Sequence, residues 1–401
     1  MTNALRQLRR AAFFPLPALL ASCGGAPIDS GEDGPPASGG AYGSGGHVSQ
    51  SGGSSAGGAG TGGGAHAGGA PGTGGVHTGG SGGASSGGSP GAETGGTSNG
   101  GLTGGLPPDF GLEFVGNITT SNGIDFEGMV YSDYWDQITP ENAGKWGSVQ
   151  SNAGAAFNWS TLDAIYDYAE EKGIIFKQHA FVWGSQQPGG NPSAEQVETW
   201  VQTFCERYPN TKLIDVVNEP PPHTNPNYTD ALGGGTNTSW QWVTTSFEMA
   251  REHCPGAILL LNDFNNIEWD NDTNHFIGIV DAIQAAGAPI DAIGAQAHDL
   301  DNGQVSFQKV QGLIQKLHDE TGLPIYITEF DISTTNDQQQ LDLYEQYMPF
   351  FRETEYVRAV TIWGWIYGRT WNSAPQSGLV RDGAPRPAMT WLMDWLGRPS
   401  P

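Results

Sequence analysis

Two stretches decide the fold of this chain: Asp215-Val216-Val217-Asn218-Glu219-Pro220 and Ile325-Tyr326-Ile327-Thr328-Glu329-Phe330-Asp331. Each is a run of strand-forming residues that stops on a glutamate. Such β-branched runs are typical of strands buried on both faces. In parallel barrels the carboxyl ends of the strands meet at one rim, where the chemistry is done. We therefore expect Glu219 and Glu329 to face each other across the rim of a barrel.

From residue 107 onward the chain alternates strand-like and helical patterns, as βα units do. A domain over 107–401, roughly 295 residues, fits one barrel with modest loops. The predicted fold class is therefore α/β, a (β/α)₈ TIM barrel with parallel strands. The predicted strands are Phe114–Thr119, Gln137–Thr139, Ile174–His179, Leu213–Asn218, Ile258–Asn262, Ala292–Gln296, Ile325–Thr328 and Val360–Trp363. The predicted helices are Ser160–Lys172, Ala194–Tyr208, Trp240–His253, Thr273–Ala286, Val305–Thr321, Gln338–Thr354 and Ala388–Leu396.

A segment over 24–106 separates this domain from the N-terminus and consists almost entirely of Gly, Ser, Ala and Thr. It has almost nothing to bury, so it cannot offset the entropy of ordering its backbone. We expect a disordered Gly/Ser-rich linker there.

Residues 1–23 have the features of an export signal. Arg6, Arg9 and Arg10 precede a short apolar stretch, too short for a spanning helix, that ends in Leu20-Ala21-Ser22-Cys23. This end resembles a bacterial lipobox, in which Cys23 would carry the lipid; a plain secretory signal is the alternative. We expect an exported protein, bound to a membrane only through a lipid anchor at the cell surface or in the periplasm, or otherwise secreted.

Export also permits a disulfide. Cys205 and Cys254 each stand at the end of a predicted helix, and consecutive helices of a barrel are neighbours. A Cys205–Cys254 bridge is therefore expected, with two buried free thiols as the alternative.

The net charge of −25 argues against nucleic acid as a partner, because phosphate binding needs clusters of Lys and Arg. The predicted rim instead offers carboxylates, amides and indoles, which suit the hydroxyls and flat faces of a neutral sugar. Two facing carboxyls can hydrolyse a glycosidic bond: one protonates the leaving oxygen and the other attacks the sugar. No cofactor or metal is expected, and three histidines in the 24–106 segment are too scattered for a metal site. A monomer is expected.

Eight motifs, in this order, resemble glycoside hydrolase family 10, the retaining endo-β-1,4-xylanases, over 107–401. They are Phe114-Val115-Gly116-Asn117, Ile138–Asn142 with Lys145-Trp146, Lys177-Gln178-His179 to Pro188, Asp215–Pro220, Leu261–Asn265, Ile293–His298, Ile327–Asp331 and Ile362-Trp363-Gly364.

The resemblance implies that Glu219 is the general acid/base and Glu329 the nucleophile, with xylan or xylo-oligosaccharides as substrate. We expect Glu219 to hold a proton at rest because the Glu329 charge lies nearby. His298 and Asp331 are expected to keep Glu329 ionised. The expected substrate-binding residues are Glu141, Asn142, Lys145, His179, Trp183, Gln187, Asn218, Gln296, His298, Trp363 and Trp371.

Two positions depart from the pattern of that family. Phe264 replaces a usual Tyr, so a hydroxyl that could contact the nucleophile is missing, and the rate or pH dependence should change. The loop after Pro188 lacks a tryptophan often found there. A β-1,4-glucanase or aryl-glycosidase on the same barrel remains an alternative, as does a non-catalytic glycan-binding surface protein. Crowding near Gln187 and Trp371 decides between xylose and glucose.

Overall fold

The computed structural model describes residues 105–120 and 123–399 and confirms the predicted barrel. Eight parallel strands pair in chain order, and β1 pairs with β8 to close the barrel. The strands are β1 Val115–Ile118, β2 Gln137–Thr139, β3 Ile175–Trp183, β4 Leu213–Asn218, β5 Ile258–Asp263, β6 Ala292–Ala295, β7 Ile325–Phe330 and β8 Val357–Ile362. The predicted signal peptide, Cys23 and the predicted linker up to residue 104 lie outside the described residues.

Helices follow the strands and pack around the barrel. They are α1 Trp146–Val149, α2 Ser160–Lys172, α3 Ala194–Arg207, α4 Gln241–His253, α5 Asp270–Ala285, α6 Phe307–Thr321, α7 Asp337–Glu353 and α8 Pro387–Trp395. A two-stranded hairpin, β9 Val380–Arg381 with β10 Ala384–Pro385, precedes α8. Local chemistry sets the ends: Ser193 caps α3 with a capping box, and Gly173 ends α2 in the left-handed conformation.

The largest differences from the predicted strand boundaries are in β3 and β8. β3 runs four residues past His179 to Trp183, since its buried apolar run continues through the barrel rim. β8 begins at Val357, not at Val360, and ends before Trp363. The exposed Arg358 hid this start, because a charge interrupts the apolar pattern; its guanidinium pairs with Glu113 at the bottom of the barrel.

The core has two parts. The larger one fills the layer between barrel and helices, where Trp146, Trp200 and Trp159 stack in succession. The smaller one fills the barrel interior away from the rim where the strands end. It consists of Phe114, Ile175, Leu213, Leu260, Ala292, Tyr326 and Ala359. This apolar plug leaves the other end of the barrel to polar residues, as in barrel enzymes generally.

Cys205 in α3 and Cys254, directly after α4, form the predicted disulfide, with their Cα atoms 5.3 Å apart. It joins the ends of two neighbouring helices on the outside of the barrel. Across residues 105–120 and 123–399, no helix has the length and apolar character needed to cross a membrane.

Candidate active site

Glu219 and Glu329 both lie at the catalytic rim, the end of the barrel where the strands finish. Glu329 is part of β7, whereas Glu219 is the first residue after β4. Glu219 has a positive φ of 49°, and its backbone N–H donates to the carbonyl of Asn262 at 2.9 Å. This left-handed conformation is uncommon for a glutamate and turns the chain sharply at the rim.

The carboxylate of Glu329 is buried and contacts three nitrogen groups. Asn262 Nδ2 donates to its Oε1 at 2.8 Å. His298 Nε2 lies 3.4 Å from Oε2, and His179 Nδ1 lies 3.8 Å from Oε1. Burial by itself raises the pKa of Glu329, but the electrostatic effect of His179, His298 and Lys177, together with the contact with His298, outweighs burial and lowers the pKa to about 2. Glu329 is therefore ionised at neutral pH.

His298 is fixed by Asp331, the residue two positions after Glu329. The Nδ1 atom of His298 lies 3.0 Å from Asp331 Oδ1, and Trp371 Nε1 donates to Asp331 Oδ2 at 3.0 Å. Burial lowers the pKa of His298, but the carboxylates of Asp331 and Glu329 raise it well above its ordinary value. His298 is thus a cation that bridges two acids. Its ring also packs on Trp371, with centroids 4.6 Å apart.

A buried charged layer supports Glu329 from inside the barrel. Lys177 Nζ and His179 Nδ1 both contact Asp215 Oδ2, and all three side chains are almost fully buried. Ligand atoms of His179, Asp215 and Glu329 lie within 4.8 Å of one another, close enough to surround a cation. The ammonium of Lys177 already supplies positive charge at this point.

Glu219 has neutral partners. Trp183 Nε1 donates to its Oε2 at 2.8 Å. Asn218 Nδ2 and Gln296 Nε2 reach its Oε1 at 3.2 and 3.1 Å. Its side chain is half-buried. Three N–H donors of this kind can support the carboxylate without pairing it to a cation.

Two amides connect the glutamates. Asn262 Nδ2 lies 2.8 Å from Glu329 Oε1 and 2.7 Å from Asn218 Oδ1, while Asn218 in turn donates to Glu219. Thr328 Oγ1 donates to Asn262 Oδ1 at 2.6 Å and fixes the amide orientation. Gly294 makes room for Asn262, because a Cβ there would lie 2.2 Å from its Oδ1. The two carboxyls thus share one hydrogen-bonded network.

A second polar group lies beside Trp183. Lys145 Nζ is 4.7 Å from the centroid of the Trp183 ring and donates to Asn142 Oδ1 at 3.1 Å. Burial raises the pKa of Glu141 to about 7, although Lys145 opposes the shift, and burial lowers the pKa of Lys145. Ammonium, carboxyl and amide together can bind sugar hydroxyls next to the glutamates.

The remaining predicted residues take different positions. The Trp363 ring meets His179 edge-on, with ring centroids 5.2 Å apart. Gln187 connects the loop after β3 to the loop after β4, because its Oε1 accepts a hydrogen bond from Asn227 N–H at 3.0 Å. Phe264, at the position expected to approach the nucleophile, stacks on His223 at 3.8 Å.

Sequence reasoning missed three residues of this network as site residues: Asn262, Lys177 and Asp215. Asn262 stands near the end of its strand, as Asn218 does, and this position was the available signal. Asp215 is a charge inside a β-branched run, and His179 is its register partner on β3. A charge at such a position needs a buried counterion on the next strand.

Comparisons with known proteins identify the family of this chain. The family model described as "Glycosyl hydrolase family 10" matches residues 111–395. The chain is 43% identical over 289 residues to "Endo-1,4-beta-xylanase B" of Cellvibrio japonicus. The aligned region covers 70% of this chain and 45% of that protein. It is 27% identical over 300 residues to "Endo-1,4-beta-xylanase A" of Thermoanaerobacterium saccharolyticum, covering 65% of this chain and 24% of that protein. The chain therefore spans less than half the length of these two relatives.

A solved structure described as GH10 from Paenibacillus barcinonensis shares the fold. Its TM-score is 0.63 at 23% identity, over 73% of this chain and 96% of that one. The family match covers well over half of the chain and includes both rim glutamates and every group that contacts them. The chain belongs to glycosyl hydrolase family 10.

Proposed function

We propose that this protein is an endo-β-1,4-xylanase that hydrolyses internal bonds of xylan with retention of anomeric configuration. The observation that carries the proposal is the contrast between two networked carboxyls: Glu329 is buried among cations and ionised, whereas Glu219 has only neutral donors. A retaining glycosidase needs these two states, a nucleophile and a proton donor. The relatives described as endo-1,4-beta-xylanases support xylan as substrate.

In the first step, Glu329 attacks the anomeric carbon and Glu219 gives its proton to the leaving oxygen. The C–O bond to the leaving sugar breaks as the ester bond to Glu329 forms. The N–H groups of Trp183, Asn218 and Gln296 then stabilise the carboxylate left on Glu219. Asn218 is also the proposed donor to the sugar 2-hydroxyl, a contact that strengthens in the transition state.

In the second step, Glu219 takes a proton from water, and the resulting hydroxide displaces Glu329 from the sugar. His298, His179 and Asn262 stabilise Glu329 as it leaves, because they bind its ionised form. Two inversions at one carbon give net retention.

The sugar next to the cleaved bond is proposed to lie against Trp183, Trp363 and Trp371. These side chains contact Glu219, His179 and His298, respectively. Glu141, Asn142 and Lys145 are proposed to bind its hydroxyls and those of the next residue.

Product analysis tests both substrate and mechanism. The protein should release xylo-oligosaccharides of several lengths from xylan and little from carboxymethylcellulose. Proton NMR of early xylan hydrolysis should show the β-anomer first. Faster release from carboxymethylcellulose would instead identify a β-1,4-glucanase, and α-anomer first would refute Glu329 as nucleophile.

The proposed organisation of the chain is a signal peptide over 1–23 with a lipobox, a disordered linker over 24–106 and a catalytic barrel over 107–401. The enzyme would then work at the cell surface or in the periplasm on a lipid anchor. Replacing Cys23 with Ala should release the protein from the membrane fraction and leave activity per molecule unchanged. A Cys23→Ala variant that still fractionates with membranes would disprove the anchor.

A further inference from the structure

The turn that follows Glu219 is tightly constrained. Thr224 closes it, with its backbone N–H 3.0 Å and its Oγ1 2.7 Å from the carbonyl oxygen of Glu219. His275 of α5 contacts the carbonyl of Pro221 at 2.8 Å through Nε2. These contacts hold the backbone beside Glu219 but do not reach its side chain. Gly184 N–H, after β3, donates to Thr224 Oγ1 at 3.3 Å. His223 also anchors this turn to the rest of the rim.

His223 joins the turn to β5 and α5 in three ways. Its Nδ1 lies 2.7 Å from Oδ1 of Asp263, the last residue of β5. Its Nε2 lies 3.5 Å from Oδ1 of Asp272, in the first turn of α5. Its ring stacks on Phe264 with centroids 3.8 Å apart and planes 20° apart. The imidazole therefore has both nitrogens and one face engaged.

The acidic groups that face His223 from each packed element are Asp263 on β5, Asp272 on α5 and Glu219 on the turn itself. Burial lowers the pKa of His223, but these carboxylates raise it above its ordinary value. Burial raises the pKa of Asp263 to about 7, although His223 opposes the shift. Asp263 is buried, and His223 is its side-chain partner. This pairing keeps His223 in place even though the turn lies at the solvent-facing rim.

We infer that His223 is a positioning residue for the proton donor: by binding Asp263 and stacking on Phe264, it holds the turn so that the Glu219 carboxyl faces the leaving oxygen. The inference rests on the proposed role of Glu219. His223 itself exchanges no proton with substrate. Proton transfer requires heavy atoms within hydrogen-bond reach, and small displacements of a catalytic group reduce rates steeply.

A leaving-group comparison separates this role from a merely structural one. A phenyl β-xylobioside needs protonation of its leaving oxygen, whereas a 2,4-dinitrophenyl β-xylobioside needs almost none. In His223→Phe, which keeps a ring on Phe264 but loses the contact with Asp263, kcat/KM for the phenyl substrate should fall about tenfold, a part of the roughly 100-fold or more that general acid catalysis contributes. The dinitrophenyl substrate should change less than about twofold, because its leaving group needs no acid.

Three further variants complete the experiment. His223→Asn can keep a donor near Asp263 and should recover most of the loss. Asp263→Asn tests the same contact from β5 and should give the leaving-group pattern even if His223→Phe folds poorly. His318→Phe is the matched control, since His318 also stacks on an aromatic ring, that of Tyr356 at 4.2 Å, but lies at the end of α6. This control should leave both substrates unaffected.

Equal losses on both substrates, or no loss on either, would overturn the inference, and so would a His223→Asn variant as impaired as His223→Phe. Glu219→Ala is measured in parallel. If Glu219→Ala loses no more activity on the phenyl than on the dinitrophenyl substrate, the proposed function fails at Glu219 itself, whatever the His223 variants show.

Discussion

The two rim glutamates have opposite surroundings on the same barrel. Glu329 is 4% exposed, lies within its strand and contacts His179, His298 and the Asn262 amide. Glu219 is half-buried, lies one residue beyond its strand and accepts hydrogen bonds from Trp183 and two amides. The carboxylate of Glu329 contacts the cation His298, whereas neutral N–H groups make the hydrogen bonds to Glu219.

This difference fits the unlike roles proposed for the two glutamates. Cations fix Glu329 in the ionised form, which a nucleophile needs. The N–H groups around Glu219 can support the carboxylate that it becomes on giving up its proton, and a group proposed to alternate between acid and base passes through that form. The position on the barrel matters too: a strand residue is rigid, whereas a residue on a turn depends on contacts such as that of His223.

Removing the nucleophile should have the largest effect. Glu329→Ala should lower kcat on xylan and on aryl xylobiosides alike, by about 10⁴-fold or more, because no leaving group can compensate for a missing nucleophile. Steady-state rates on both substrates measure this. Added azide should attack from the opposite face and give the α-glycosyl azide; a β product would contradict the assignment of Glu329.

Removing the acid/base should have an effect that depends on the substrate. Glu219→Ala should lower kcat/KM on xylan by about 10²- to 10⁴-fold, the usual contribution of general acid–base catalysis. With a dinitrophenyl substrate the covalent intermediate should form and accumulate, because no base remains to activate water. Mass spectrometry of the intact protein should detect it.

Azide needs no base, so it should restore turnover of Glu219→Ala and yield the β-glycosyl azide. This product is the opposite anomer of the one expected from Glu329→Ala. The two products together assign the two roles independently. Absence of both the intermediate and azide rescue would remove Glu219 from the mechanism.

Removing a cation beside Glu329 should make the electrostatic surroundings of the two glutamates more alike. In His298→Asn the pKa of Glu329 should rise, because one of the positive charges that lower it is gone. Activity requires ionised Glu329, so the acid limb of the profile of kcat/KM against pH should move to higher pH, by about one unit. His318→Asn, outside the site, should leave the limb unmoved. An unshifted limb in His298→Asn would show that His298 does not set this ionisation.

The sequence predicted the barrel and the two glutamates because both depend on local patterns. Buried β-branched runs identify parallel strands, and a glutamate at the end of each run marks the rim. The start of β8 was predicted three residues too late. The exposed Arg358 interrupts the apolar pattern there, because this end of the strand reaches solvent. The disulfide was predictable because both cysteines stand at ends of neighbouring helices.

The network around the glutamates was harder to predict because it depends on register between strands. Lys177, His179 and Asp215 form one cluster because the register of β3 and β4 brings them together. The local sequence pattern of either strand does not predict this register. Phe264 is similar: its substitution was visible in the sequence, but its packing partner, His223, lies 41 positions earlier and across the rim. Long-range pairing of this kind becomes visible only in the structure.

The smallest expected effect concerns Glu141, a third carboxyl at the rim with a pKa of about 7. As pH rises through 7, Glu141 loses its proton, and a carboxylate accepts stronger hydrogen bonds from sugar hydroxyls than a neutral carboxyl does. The KM of the wild type for xylotriose should therefore fall with rising pH around 7. Glu141→Gln stays neutral, so its KM should match the wild type below about pH 6 and exceed it about fivefold above pH 8, the size of the difference between charged and neutral hydrogen bonds. The value of kcat should change little, because Glu141 is proposed to bind sugar and not to react. A Glu141→Gln variant whose KM follows the wild type across this pH range would show that Glu141 does not contact substrate in its ionised form, and the contrast in charge would then belong to Glu219 and Glu329 alone.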